Sequence, residues 1–191
     1  MGEACLNSNP MIEKTPFAEF SDLSWYAVQT SYRSEQRVAQ ALTTKGLNTY
    51  LPLLREVHQW TDRKKTIDVP AFSGYLFVNY EPTLRNRVKV LETNGVVRMV
   101  GGNHSPSPIP VEEIEVVRRT LSSGVACDRC DALTPGAKVR VVRGPLAGVQ
   151  GQLVRIKNSL RLVVAISVFS QAISAELGLN DVEALQDCSV A

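Results

Sequence analysis

Two histidines, four cysteines and a short run of glutamates are the residues of this chain best suited to chemistry. His104 lies in the loop GGNHSPSPIP beside Ser105 and Ser107. Serine hydrolysis needs an activated serine and an acid that orients the imidazole, and no acid is near. His104 therefore reads as a surface loop histidine, and His58 has no catalytic neighbours either. Cys127-x-x-Cys130 has the spacing of half a zinc site, but no second CxxC or HxxxH follows to complete four ligands. Asp128 and Asp131 are weak substitutes, and an inert linker is favoured over zinc or a redox pair. Glu112, Glu113 and Glu115 fall in the first turn of an expected helix, where acids complement the helix dipole. No GxGxxG or phosphate-binding loop occurs. The expectation is a non-enzyme with no cofactor and no metal.

The more specific constellation is apolar. Phe72, Tyr75, Leu76, Phe77 and Val78 lie within seven residues. On a strand, Tyr75 and Phe77 share one face while Leu76 and Val78 take the other. A sheet with helices on one side would leave one of these faces exposed, and an exposed aromatic patch marks a partner site. Equally, both faces can be covered. The residues alone leave both readings open.

Length and composition bound what such a patch can belong to. The chain has 191 residues, 44% hydrophobic and 21% charged, with a formal net charge of +2. These are globular proportions, sufficient for one or two domains. The small net charge argues against a protein that coats nucleic acid through bulk electrostatics. No apolar run approaches membrane length, and the first residues lack a secretory pattern, so a cytoplasmic monomer with reduced thiols is expected. The charge is unevenly placed. Residues 1–23 hold one lysine and four acids and read as a mobile acidic tail. Residues 24–124 hold 13 basic and 9 acidic residues. Lys138, Arg140, Arg143, Arg155, Lys157 and Arg161 then follow one another before the acids Glu176, Asp181, Glu183 and Asp187.

Periodicity divides the remainder in two. Residues 25–30 (WYAVQT) predict a strand, and Ser34 is placed to cap a helix over 35–45 that Gly46 ends. Residues 57–61 and 66–69 predict a hairpin with the basic tip Arg63-Lys64-Lys65. The run 74–78 is strongly apolar and predicts a strand. Pro82 opens a helix with Leu84, Val88 and Leu91 on its apolar face. Residues 96–100 predict a strand, and 112–121 a helix presenting Ile114, Val117 and Leu121. The order suits an α+β domain over 24–121 with helices on one side of its sheet. Residues 122–132 read as a linker. Beyond it the period becomes two, with tight turns, which predicts a small β-barrel over 133–186.

These segments resemble the NusG family of transcription elongation factors, which includes RfaH-like specialised antiterminators. WYAVQT, SEQRVAQALTTKG, VPAFSGYLFVNY, TNGVVRMVG and IPVEEIEVV follow the order of that family's N-terminal domain. TPGAKVRVVRGPLAGVQGQLVRI is similar to its C-terminal KOW motif, with Gly148 and Gly151 shaping a turn and strand. The resemblance spans about residues 24–186. It implies a ferredoxin-like α/β sandwich followed by an SH3-like KOW barrel. It implies an apolar surface that grips the clamp helices of the RNA polymerase large subunit, formed here by Phe72, Tyr75 and Phe77 with Met99 beside them. Asn86 and Arg87 would reach the opposite side of the polymerase cleft. Such bridging suppresses pausing and favours long transcripts. Arg33, Arg37 and Arg63-Lys64-Lys65 would touch non-template or upstream DNA. The KOW barrel would engage a small-subunit ribosomal protein or the termination factor Rho, with Leu146 as the candidate contact.

The sequence departs from the family at one point. The common FPGY or FPNY is FSGY here, so Ser73 restores a backbone N–H and frees φ. NTYLPLL and TNGVVRMV look more like the specialised paralogues than housekeeping NusG, and the specialised subgroup is the preferred reading. The alternatives are a housekeeping NusG or a KOW-type RNA- or ribosome-binding protein. The β-prone run 162–166 argues for a barrel rather than a helical C-terminal domain.

Overall fold

The computed structural model describes residues 23–59, 64–101, 105–131, 137–156, 159–168, 171–178 and 181–185. The acidic tail, Arg63 and His104 lie outside them, as do the side chains of His58 and Lys64.

The N-terminal part is a five-stranded sheet, with β2 (Asn48–Tyr50), β5 (Tyr75–Tyr80), β1 (Ser24–Thr30) and β6 (Val96–Met99) side by side and β7 (Pro108–Ile109) also on β1. β1 lies antiparallel to β5 with Ala27 opposite Phe77 and Val28 opposite Leu76. This register sorts the side chains. Tyr26, Val28, Leu76, Val78 and Tyr80 face α1 (Glu35–Thr44) and α2 (Leu84–Leu91), where they enclose Val38, Leu42 and Val90. Trp25, Ala27 and Phe77 take the other face, against Ile114 and Val117 of α3 (Val111–Ser122). Helices therefore cover both faces, not one as the sequence predicted. A strand apolar on both sides, as β5 is, can be buried only between two layers.

The helix ends differ slightly from expectation. Ser34 precedes α1, but its hydroxyl donates to the Tyr32 carbonyl instead of capping the helix. Thr83, not Pro82, starts α2, its Oγ1 accepting from the Asn86 N–H at 3.3 Å. The apolar face of Leu84, Val88 and Leu91 is exposed, and only Val90 of α2 is buried. An eight-residue helix seated at the sheet end inserts one side chain, and its alternative apolar face is left to solvent. The two strands of the predicted hairpin are present as β3 (Leu53–Gln59) and β4 (Lys64–Pro70), a separate two-stranded unit whose connecting residues lie outside the described ones.

The C-terminal part is a six-stranded antiparallel sheet in the order β13-β9-β10-β11-β12-β8, where β8 is Cys127–Asp131, β9 Ala137–Val141, β10 Gln150–Ile156, β11 Ser159–Ala165, β12 Gln171–Leu177 and β13 Val182–Ala184. β8 falls within the predicted linker. It pairs with β12, with Cys127 opposite Ala175 and Cys130 opposite Ala172. Its sequence, CDRCD, has no apolar alternation, because an edge strand needs only backbone pairing and one side chain turned inward. Gly151 on β10 is fixed by close approach: a Cβ there would lie 2.6 Å from the Val163 carbonyl oxygen.

Candidate functional site

The loop between β4 and β5 carries Phe72 and is held where it enters β5 by both backbone groups of Gly74. The Thr30 N–H donates to the Gly74 carbonyl at 2.8 Å, and the Gly74 N–H donates to Oε1 of the buried Glu35 at 2.8 Å. Gly74 has φ +79°, a conformation that side-chain-bearing residues rarely adopt. This tight exit from the FSGY segment sets the register of β5 and thereby sends Phe77 and Leu76 to opposite faces.

On the Phe77 face the rings form a chain. Phe72 meets Phe77 edge-on with centroids 5.7 Å apart, and Phe77 stacks on Tyr50 at 6.2 Å. Tyr50 meets Trp25 at 6.4 Å and lies under the Arg118 guanidinium at 4.9 Å. Burial pushes the Tyr50 hydroxyl up to about 12, partly countered by Arg118. Trp25, Tyr50 and Arg118 were not singled out from sequence, although the even spacing of Trp25 and Ala27 places Trp25 on this face once the register is known.

The face is covered. Phe72 and Phe77 are 0% exposed and Tyr75 is half-buried. They share one apolar cluster with Leu162 and Ile173 of the C-terminal sheet and with Leu146 and Ile166 of its connecting segments. The expected open aromatic patch is thus an interior seam between the two sheets. Leu146, assigned from sequence to a partner contact, is 1% exposed within the same cluster. Polar ties border the seam. Glu113 Oε2 accepts from the Ser167 N–H at 2.9 Å, Gln171 Nε2 donates to the Ser73 carbonyl at 3.3 Å, and Arg129 Nε donates to the Pro70 carbonyl at 3.0 Å. Arg129 also pairs with Glu56 at 3.3 Å. A cleft of about 580 Å³ runs beside the seam between the hairpin and the α3 exit, lined by Leu54, Arg55, Asp68, Leu121 and Val125 among others.

Met99 does not lie beside these rings. It stands opposite Val28 on the α1/α2 face, where the Tyr80 hydroxyl donates to its sulfur at 3.5 Å. The pairing of β6 with β1, invisible in TNGVVRMVG, decides that side. Asn86 and Arg87 sit together in the first turn of α2, Asn86 donating to the Glu81 carbonyl at 3.2 Å. Arg33 and Arg37 lie at the β1–α1 junction. Arg33 has φ +55°, the one described non-glycine residue with positive φ, and stacks over Tyr32 at 5.0 Å. Tyr32 is 82% exposed. Arg37 donates to the Ser34 hydroxyl at 3.4 Å. Lys65 is exposed on β4, and Arg63 and the Lys64 side chain lie outside the described residues.

The alternative chemistries gain nothing from these positions. Cys127 and Cys130 are three apart on one strand, so they point to opposite sides of β8 and do not converge on a metal. Burial pushes the Cys127 thiol up to about 11, and its Sγ donates to the Val125 carbonyl. No group of three potential metal ligands occurs among the described residues. Arg161, counted from sequence among the barrel's cations, is bound by Asp128 and the Ser174 hydroxyl.

A family model described as "Transcription termination factor nusG" matches residues 23–118, half of the chain, and spans every element that builds the aromatic face. The chain belongs to the NusG family. A NusG transcription termination/antitermination protein of Pseudomonas aeruginosa is 26% identical over 171 residues, covering 83% of this chain and 97% of that protein. The corresponding protein of Streptococcus pyogenes is 27% identical over 177 residues, covering 86% and 97%. A solved structure of Thermotoga maritima NusG, described as showing a domain interaction in that protein, covers 86% of this chain and 98% of its own with a TM-score of 0.53 at 18% identity. The mixed α/β architecture of this chain is therefore a NusG architecture. NusG proteins are transcription factors rather than enzymes. No helix among the described residues is long and apolar enough to cross a membrane.

Proposed function

We propose that this NusG-family chain is a transcription elongation and antitermination factor that docks on the clamp helices of RNA polymerase through the Tyr75/Phe77 face. The observation that carries this reading is the ring chain Trp25–Tyr50–Phe77–Phe72, which shares one apolar cluster with the C-terminal sheet. Aromatic rings that change partners between a cover and a target are suited to hot-spot contacts. Docking requires the C-terminal sheet to leave the seam, which also releases Leu146 for a ribosomal protein or Rho. Residues 24–121 then act as one unit and the sheet beginning at Cys127 as the other. Asn86 and Arg87 reach the far side of the polymerase cleft, and bridging suppresses pausing. We assign the chain to the specialised paralogues acting on particular long operons. Readthrough confined to one long operon in nascent-transcript mapping supports that assignment, and a genome-wide effect contradicts it.

Tyr75 offers the cleaner test of docking because it is only half-buried. Tyr75→Ala is expected to weaken polymerase binding about 10-fold or more, the range of an aromatic hot spot, while the circular dichroism spectrum stays unchanged. Binding equal to that of the parent chain removes the face from the reading.

Contact with non-template or upstream DNA falls to Arg33 and Arg37 at the β1–α1 junction and to the basic run Arg63-Lys64-Lys65. A left-handed arginine costs about 1–2 kcal/mol, and strain of this kind clusters at functional sites. Arg33→Gly is expected to raise folding stability by up to about 1 kcal/mol, the relief being partly offset by glycine's unfolded-state entropy. The same substitution should weaken binding of the polymerase-bound chain to DNA. A loss of stability with unchanged DNA binding contradicts the assignment.

A further inference from the structure

The chain enters β5 through a four-residue turn, Phe72-Ser73-Gly74-Tyr75, closed by the Tyr75 N–H donating to the Phe72 carbonyl at 3.1 Å. Gly74, its third residue, has φ +79°, with no positive φ at Ser73 before it. That is the pattern of a type II turn. Types I and II differ by a flip of the central peptide, here the one joining Ser73 to Gly74. Both ends of this peptide are held. Its N–H donates to Glu35 Oε1 at 2.8 Å, and its carbonyl accepts from Gln171 Nε2 at 3.3 Å. The Gln171 bond crosses the seam and is lost when the C-terminal sheet leaves. The Glu35 bond lies within the N-terminal part and persists.

Glu35 is the first residue of α1 and only 7% exposed. A carboxyl group so far from water is costly without a fixed partner, although the start of a helix is a favourable place for it. Two further costs fall within five residues. Arg33 has φ +55°, and Thr30 buries a hydroxyl with no partner among the described residues. Such costs persist where a particular geometry serves function. Resting on the docking reading above, we infer that Glu35 is a positioning residue for the polymerase-facing loop. It holds the Ser73–Gly74 peptide in one orientation, and so keeps Tyr75 presented in the same place after the C-terminal sheet has left the seam. The Thr30 N–H, bonded to the Gly74 carbonyl at 2.8 Å, fixes the next peptide, so the turn is anchored on the β1–α1 junction alone.

Titration of the full chain against RNA polymerase tests this, with Gln171→Ala present throughout so that the seam bond to Ser73 is absent from every variant. Glu35→Leu keeps the volume and removes the acceptor, whereas Glu35→Gln keeps an acceptor oxygen. Reducing the docking-ready loop to about a tenth of the population weakens binding about 10-fold. That loss is expected for Glu35→Leu at a temperature where calorimetry shows each variant folded, with Glu35→Ala taking its place if the leucine variant does not fold. Glu35→Gln should bind within about three-fold of the parent, and adding Ser73→Pro to Glu35→Leu should recover at least about three-fold, because proline presets the second residue of the turn. Recovery from a second site is a response that lost packing around Glu35 would not give. Equal binding by Glu35→Leu and the parent overturns the inference and leaves the docking reading standing. A loss that Glu35→Gln shares, or that Ser73→Pro does not recover, also overturns it and makes Glu35 a packing residue. A parent chain that does not bind polymerase overturns both.

Discussion

Phe77→Ala is expected to destabilise the chain by about 3–5 kcal/mol, the cost of emptying a fully buried phenylalanine site. The residue is 0% exposed and touches rings on two sides, Phe72 and Tyr50, so its removal opens a cavity that neither neighbour can fill without leaving its own partner. For a chain of this size the midpoint of thermal unfolding should fall by on the order of 10 °C. The consequence for function is diagnostic. A Phe77 variant that fails to bind polymerase says little, because the strand that positions the whole face is itself weakened. Phe77→Leu, which keeps most of the volume, should recover more than half of the lost stability while still lacking the ring. Differential scanning calorimetry of the two variants decides it. A midpoint within 2 °C of the parent for Phe77→Ala, roughly the effect of a change below 1 kcal/mol, would mean that Phe77 is not part of the core seam.

Breaking the ties across the seam should act in the opposite direction on binding. Glu113→Ala, Arg129→Ala and Gln171→Ala together remove the hydrogen bonds to Ser167, Pro70 and Ser73. Each is a partly exposed bond worth about 0.5–1 kcal/mol net, and the Arg129–Glu56 pair adds little at the surface. The sum, about 2 kcal/mol, raises the open fraction roughly 30-fold. If only the open form docks, apparent affinity for polymerase tightens by the same factor until the open form predominates. The apolar part of the seam remains, so the closed form is weakened rather than abolished. Titration of polymerase with the triple variant and the parent chain measures the ratio. Equal affinities would show that the seam does not limit docking.

Much of this arrangement is legible in the residues themselves. The periodicity of WYAVQT and YLFVNY gave two strands, and the cores of α1 and α3 follow from Val38 with Leu42 and from Ile114 with Val117. What local pattern cannot supply is which side a strand turns once it is paired. The family resemblance put Met99 beside Phe77, but pairing with Val28 sends it to the other face. The same limit explains β8. CDRCD has neither alternation nor β-branched residues and becomes a strand because β12 offers it an edge. On α2 the three-residue and four-residue spacing identified a real stripe at Leu84, Val88 and Leu91, but spacing carries no information about whether the rest of the molecule reaches it. The aromatic cluster was the most informative feature: both faces of β5 are covered, and on one of them the cover includes a second sheet tied by the Glu113, Gln171 and Arg129 bonds. Ser73, in the place of the family's proline, lends its carbonyl to one of those bonds.

The most direct test of the whole account joins the two sheets reversibly. Ser73→Cys with Gln171→Cys places two thiols where the Gln171 side chain now meets the Ser73 carbonyl, and Cys5→Ser with Cys188→Ser removes competing terminal thiols. Binding to RNA polymerase is then measured on the oxidised chain before and after reduction. The account predicts no binding while the disulfide holds the seam shut and full binding once it is reduced. Equal binding in both states would place the polymerase contact elsewhere on the chain, and absence of binding in both would contradict docking on polymerase altogether.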